Sequence, residues 1–372
     1  MAKTKFYSLD NILSKGALYN VIFGERSNGK TYAVLKLIIQ NYAKKKGQGA
    51  VIRRWDEDIK GAKGDQIFAP LVDNGEIKKA TRGKYDHVLH RGAKFYFARW
   101  EMRQTKTGAE KMTEVADENP FCFAFALNLE EHYKSTSYPK ITTILFDEFL
   151  TRKQYLIDEF ITFQNVLSTI IRLRDDVTVF LCGNTINRYC PYFREMGLTH
   201  VSSMKKGAIE LYEYGESGLT VAVEYADFPS KKKLSNKYFA FDNPKLKMIT
   251  SGAWEIAIYP HLPEDMRYRP ADIRYMYFVT FNDETLQCEI VNKGKNWITF
   301  VHRKTTEVKD EGKYLVYQEE FDPRPNYRRR LTKPVLDIEK KIVRFFAMDK
   351  VFYQDNEVGE VMRNYLAWSQ KA

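Results

Sequence analysis

Gly24-Glu25-Arg26-Ser27-Asn28-Gly29-Lys30-Thr31 satisfies the pattern G-x-x-x-x-G-K-[ST] at every fixed position. Each residue type has a chemical reason. The glycines let backbone N–H groups curl around a β-phosphate without Cβ clashes. Lys30 can reach β- and γ-phosphates, and the Thr31 hydroxyl can ligate Mg²⁺. A helix starting at this point offers its positive end to the anion. Cofactors of ATP and Mg²⁺ follow from that reading. A chance match is made rarer by context, since an apolar run precedes the motif and a helical pattern follows it.

A second group lies downstream. Thr142-Thr143-Ile144-Leu145-Phe146-Asp147-Glu148 is an apolar strand ending in two carboxylates, at the sheet edge where ligands bind in open α/β folds. Asp147 would hold Mg²⁺, directly or through water. Glu148 would act as general base on the attacking water. A strand ending in Asp-Glu is elsewhere more often a helix-capping turn; the phosphate-binding motif upstream favours catalysis here. An adjacent acidic pair of this kind marks the additional-strand, catalytic-glutamate branch of P-loop enzymes, which contains motors, helicases and translocases. One strand later, Phe180-Leu181-Cys182-Gly183-Asn184 ends in a polar residue. Asn184 could sense the γ-phosphate, position water, or serve only as a turn residue.

Alternating strands and helices position these groups. Leu18–Phe23 reads as a buried strand, Thr31–Lys45 as a helix and Ala50–Ile52 as the start of a second strand. Lys84–Arg99 suits a hairpin excursion. Phe121–Leu127, Ile141–Phe146 and Val177–Cys182 are apolar runs fit for strands covered on both faces. Phe160–Leu173 has helical spacing. The pattern predicts an α/β P-loop domain with a parallel sheet over residues 1–205. The texture turns polar and basic after that, predicting a linker over 206–244 that includes two strand-like pieces, Ile209–Tyr214 and Leu219–Val223. A smaller α+β domain is expected over 245–372, with a hairpin turning at Asn282-Asp283 and two terminal helices near 335–346 and 357–369.

Composition narrows the partners. Of 372 residues, 44% are hydrophobic and 29% charged, which favours a soluble globular chain over a disordered one. Lys plus Arg number 59 against 48 acidic residues, a net charge of +11 that favours a polyanion. Lys231-Lys232-Lys233 and Arg324, Arg328-Arg329-Arg330 are candidate phosphate contacts; a flexible basic loop or a protein contact would look the same. The four cysteines lack the spacing of a zinc or redox site. No apolar run is long enough to span a bilayer, so no membrane partner is expected. The polar start of the chain lacks the apolar core of a signal peptide.

Taken together, these residues resemble the DNA-packaging ATPases of phi29-like phages. The resemblance runs through Phe6-Tyr7, Asn20–Gly24, Arg53-Arg54, Lys134-Ser135, Tyr138-Pro139, Thr143–Phe149, Ile171–Arg174, Asn184, Asn187 and Pro191–Phe193. It covers most of residues 5–195, and beyond them chiefly Phe352–Tyr365. It implies a homomeric ring of about five subunits docked on the portal of an empty capsid, with hydrolysis between subunits driving double-stranded DNA inward. It also implies a C-terminal domain similar to a degenerate RNase H-like nuclease, and makes a structural RNA a candidate partner. Arg172 sits where the family has an arginine finger acting in trans; Arg174 is its rival, and Lys134 is a second candidate for the trans site. Arg53 and Arg54 could signal nucleotide state or simply form salt bridges. The implied location is the host cytoplasm, transiently at the portal vertex, and not the mature virion. Competing functions are a large terminase with an active nuclease, a helicase or DNA pump, and a nucleic-acid scaffold that binds ATP without turnover. Intact Lys30, Asp147 and Glu148 argue against the last.

Overall fold

The computed structural model describes residues 7–26, 28–104, 110–151, 155–156, 158–185, 190–227, 259–282 and 284–371. The chain divides into two compact units, Met1–Trp254 and Glu255–Ala372.

The first unit carries ten strands in one sheet: β1 (Tyr19–Gly24), β2 (Gln48–Arg53), β3 (His87–Arg91), β4 (Lys94–Gln104), β5 (Glu110–Ala116), β6 (Cys122–Ala126), β7 (Ile141–Asp147), β8 (Thr178–Asn184), β9 (Ile209–Tyr214) and β10 (Leu219–Ala226). Their order is β3-β4-β6-β2-β7-β8-β1-β10-β9, with β5 paired to β4. The six strands from β6 to β10 run parallel, while β9 and the β3–β4–β5 excursion are antiparallel at the two edges. One strand, β8, stands between β1 and β7, so the additional strand expected from the acidic pair is present.

Strand alternation sorts side chains onto two faces. Ile22, Val51 and Leu145 pack with Val34, Leu35 and Ile38 of the helix Lys30–Lys45. Val21, Phe23, Ile144 and Phe146 pack with Phe163, Val166 and Ile170 of the helix Glu159–Ile171. Burial on both faces is why β1, β2, β7 and β8 read as near-continuous apolar runs. Gly49 lets the helix come close: a Cβ there would stand 2.3 Å from Ile38 Cγ2.

The expected linker is corrected over its first part. β9 and β10, within 206–244, extend the sheet, and β10 pairs with β1 from Tyr19↔Val221 to Gly24↔Ala226. The compact first unit therefore runs beyond residue 205.

The second unit has a six-stranded sheet of β11 (Ile273–Phe281), β12 (Glu284–Lys293), β13 (Asn296–Arg303), β14 (Leu315–Gln318), β15 (Tyr327–Arg328) and β16 (Val351–Tyr353). Its order is β15-β14-β11-β12-β13-β16. β11, β12 and β13 form an antiparallel meander, and β14 joins β11 in parallel. The hairpin turns at Asn282, whose φ of 52° is one Asn tolerates. Helices Asp337–Ala347 and Asn356–Lys371 complete the unit; Val358, Val361, Met362 and Tyr365 are fully buried at helical spacing.

Candidate functional site: a phosphate-binding loop facing two carboxylates

β1 ends at Gly24, where the backbone turns with φ 153° and a Cβ would stand 2.7 Å from the Ala226 carbonyl. Gly29 closes the loop at φ 94° and caps the helix that begins with Lys30. Both positions need glycine, as the motif requires. Between them, Asn28 is buried and its Oδ1 accepts from the Lys30 backbone (3.3 Å) and from Lys30 Nζ (3.1 Å). Ser27 lies outside the described residues. Glu25 pairs through Oε1 with Lys206 Nζ at 2.9 Å, and Arg26 is exposed. Tyr7 braces the loop from outside: its N–H donates to the Asn28 carbonyl (3.3 Å) and its hydroxyl to Glu224 on β10. Burial raises the Glu224 carboxyl above the usual range.

Lys30 folds back into the loop. Its Nζ donates to the Glu25 carbonyl (2.6 Å) and approaches Asn184 Oδ1 (3.4 Å). Asn184 is therefore placed at the tip of β8, against the lysine. Burial pulls the Lys30 ammonium down to about 8, although Cys182, Asp147 and Glu25 oppose the shift.

The carboxylates arrive from β7, two strands away. Thr31 Oγ1 donates to Asp147 Oδ1 at 2.7 Å. A hydroxyl and a carboxylate converging at a helix N-terminus form the hard oxygen set that Mg²⁺ takes. Glu148 is largely exposed at φ 60°, with its N–H held by the Cys182 carbonyl at 2.8 Å. A cavity of about 560 Å³ joins Lys30, Thr31, Asp147, Glu148 and Asn184 to an apolar wall of Tyr32, Leu35, Ile67, Pro70 and Leu71.

Two arginines at the end of β2 separate by strand alternation. Arg53 spans both carboxylates, Nη2 to Asp147 Oδ2 (2.6 Å) and Nη1 to Glu148 Oε2 (3.0 Å). Arg54 turns inward, pairs with buried Glu159 at 2.7 and 2.8 Å, and donates to the Phe149 carbonyl (2.9 Å) and the Glu148 carbonyl (3.3 Å). Of the two readings offered for this pair, salt bridges describe both: Arg54 pairs with Glu159, and Arg53 with Asp147 and Glu148. The apolar wall from 67 to 71 was missed altogether, because its short helical turns lie too far along the chain to point at the loop.

Arg172 and Lys134 stand elsewhere. Arg172 ends the helix Glu159–Ile171 at φ 52°, exposed, and donates to the Thr136 carbonyl at 3.0 Å. Arg174 bonds the Ile141 carbonyl (2.7 Å) at the start of β7. Asp147 ends that strand six residues on, about 20 Å away at ~3.3 Å per residue. Lys134 is exposed and pairs with Glu131 at 2.5 Å.

The basic clusters are partly corrected. Arg324 is held by Asp322 and Glu311, and Arg328 by buried Glu339. Arg329 donates to the Glu319 carbonyl and lies over Trp368. Arg324 and Arg328 therefore spend their charge on neighbouring carboxylates, while Arg329 and Arg330 stay exposed. Lys231, Lys232 and Lys233 lie outside the described residues.

The chain is similar to several known proteins. The family model described as Podovirus DNA encapsidation protein (Gp16) matches residues 108–239. A DNA packaging protein of Bacillus phage phi29 is 22% identical over 311 residues, 82% of each chain. Among solved structures, the bacteriophage phi-29 viral genome packaging motor assembly is similar at a TM-score of 0.58 and 18% identity, covering 98% of both chains. The phi-28 DNA packaging motor is similar at a TM-score of 0.54 and 17% identity, covering 99% of this chain and 97% of its own. The likeness in fold thus extends over both units, and in sequence the chain is similar to the DNA packaging proteins of phi29-like phages.

Proposed function

We propose that the chain is the ATP-driven motor subunit that moves double-stranded viral DNA into a preformed capsid. The observation that carries the reading is the convergence of Lys30, Thr31, Asp147, Glu148 and Asn184 on one cavity at the parallel sheet's edge. Lys30 and the loop N–H groups bind the polyphosphate; the apolar wall at Tyr32 and Leu71 is the surface left for a base. Thr31 and Asp147 would hold Mg²⁺, which would supply charge neutralisation at the phosphates. Glu148 polarises water once it is free of Arg53, which neutralises it in this structure. Asn184 positions Lys30 and the terminal phosphate.

Arg172 cannot reach its own Glu148 along β7, which supports action in trans within a ring; Lys134 lies two residues from the carbonyl Arg172 holds. A ring of about five subunits on the portal, a structural RNA partner, and a location in the host cytoplasm at the portal vertex complete the proposal. The test is Glu148→Gln. Nucleotide binding should persist while hydrolysis falls by about 10²–10⁴ and DNA entry into procapsids stops. Hydrolysis at the wild-type rate would reject the assignment.

A further inference from the structure

The second unit holds a basic and aromatic cavity outside every cluster considered above. It measures about 480 Å³ and lies between the sheet face of β11–β13 and the helix Asp337–Ala347. Arg274, Lys341, Arg344 and Lys350 line it, together with Trp297, Phe345 and apolar Ile290. All four cations are exposed, and among the described residues none has a carboxylate within ion-pair distance. That separates them from several of the unit's other basic side chains. Arg267, Arg303, Lys313, Arg324, Arg328 and Arg363 each face a carboxylate.

The helix dipole accounts for Arg344 in the last turn. It does not account for Arg274 on β11 or Lys350 at the start of the return strand. Trp297 is 43% exposed at an edge where packing would favour covering it. Four cations around an aromatic floor match the chemistry of a strand with unpaired bases: phosphates on the rim, a base against the ring. A duplex keeps its bases stacked inside and can use only the rim.

We propose that this cavity binds an unpaired nucleotide of a nucleic-acid strand, with Trp297 or Phe345 as stacking surface and Arg274, Lys341, Arg344 and Lys350 on the flanking phosphates. The proposal deepens the nucleic-acid half of the function above by naming a surface and the form of strand it takes. It does not depend on ATP hydrolysis, which is assayed separately.

The experiment uses the full chain and fluorescence anisotropy with labelled oligothymidylate, oligouridylate and a duplex of equal length. Unpaired strands should bind more tightly than the duplex. Trp297→Ala should weaken them by roughly tenfold and leave the duplex unchanged, and Trp297→Phe should restore binding. Lys341→Ala with Arg344→Ala should reduce the salt slope by about 1.4, at ~0.7 per phosphate on single strands. Preference between the two oligonucleotides assigns the source as DNA or RNA. Equal affinity for duplex, or an unchanged slope and affinity in variants that melt normally, overturns the proposal. Hydrolysis in those variants stays at the wild-type rate; the motor reading falls only if Glu148→Gln also leaves hydrolysis intact.

Discussion

Replacing Arg54 by Met should destabilise the first unit and slow its chemistry together. Arg54 is 7% exposed and its partner Glu159 2%. Removing one side of such a pair strands a buried charge, at a cost of about 3–5 kcal/mol. Glu159 keeps two donors, Tyr192 Oη (2.9 Å) and the Leu156 N–H (2.7 Å), so the lower end, about 3 kcal/mol, is expected. At ~2–4 °C per kcal/mol for a domain of this size, melting should fall by roughly 6–12 °C. Adding Glu159→Gln removes the stranded charge and keeps one acceptor for the Leu156 N–H, while the new amide NH₂ can donate to the Tyr192 hydroxyl oxygen, so the double variant should recover most of the loss. Arg54 also grips the carbonyls of Glu148 and Phe149; the double variant should therefore bind nucleotide normally yet turn over slowly. Urea unfolding of the four forms provides the cycle. A single-variant loss below about 1 kcal/mol, or a double variant no better than the single, would refute the argument.

Nucleotide affinity should fall as pH rises through about 8, where the buried Lys30 loses its proton in the free site. The phosphates need the ammonium, so binding above that pH should take up a proton; calorimetry in buffers of different ionisation enthalpy reads it, and Lys30→Met should abolish it. The stability sign is opposite. Between about 8 and the ordinary 10.5 the unfolded chain holds more protons than the folded one, so this lysine's penalty is relieved as pH rises through that window. For Arg172→Ala, hydrolysis should fall by about 10³–10⁵ with binding intact. Mixing those subunits with Glu148→Gln subunits should partly restore the rate if the arginine acts across an interface. No recovery at any ratio, with rings verified by light scattering, would move the assignment to Lys134 or Arg174.

The catalytic half of the molecule was legible because phosphate chemistry demands particular residues in a short span. Gly24 and Gly29 sit where backbone geometry leaves no alternative, and apolar runs such as Ile144–Phe146 announce strands buried on two faces. β9 and β10 escaped because membership of a sheet is set by a distant partner. Val221 pairs with Tyr19 some two hundred positions away, and β9, as an edge strand, exposes alternate residues such as Leu211, so both pieces read as strand-like without showing which sheet they join. Whether a basic cluster is free to meet phosphate was illegible too. Arg328 is neutralised by Glu339 across eleven residues, whereas Arg344, close by in sequence, faces no acid among the described residues. The different fates of Arg53 and Arg54 depended on which one follows the strand's alternation toward β7, and adjacency alone could not separate them.

The pairing of β10 with β1 has a mechanical side. The two strands run parallel over six residue pairs, and β10 ends at Ala226 against Gly24, the first residue of the phosphate loop. A pull on the chain leaving β10 acts along the strand axis and loads those backbone hydrogen bonds in shear. They share the force and give way together, whereas bonds peeled from one end would break in turn. Tension applied downstream is thus transmitted to the backbone beside the nucleotide pocket without unzipping the sheet, and a load felt there can press on the Gly24 turn itself.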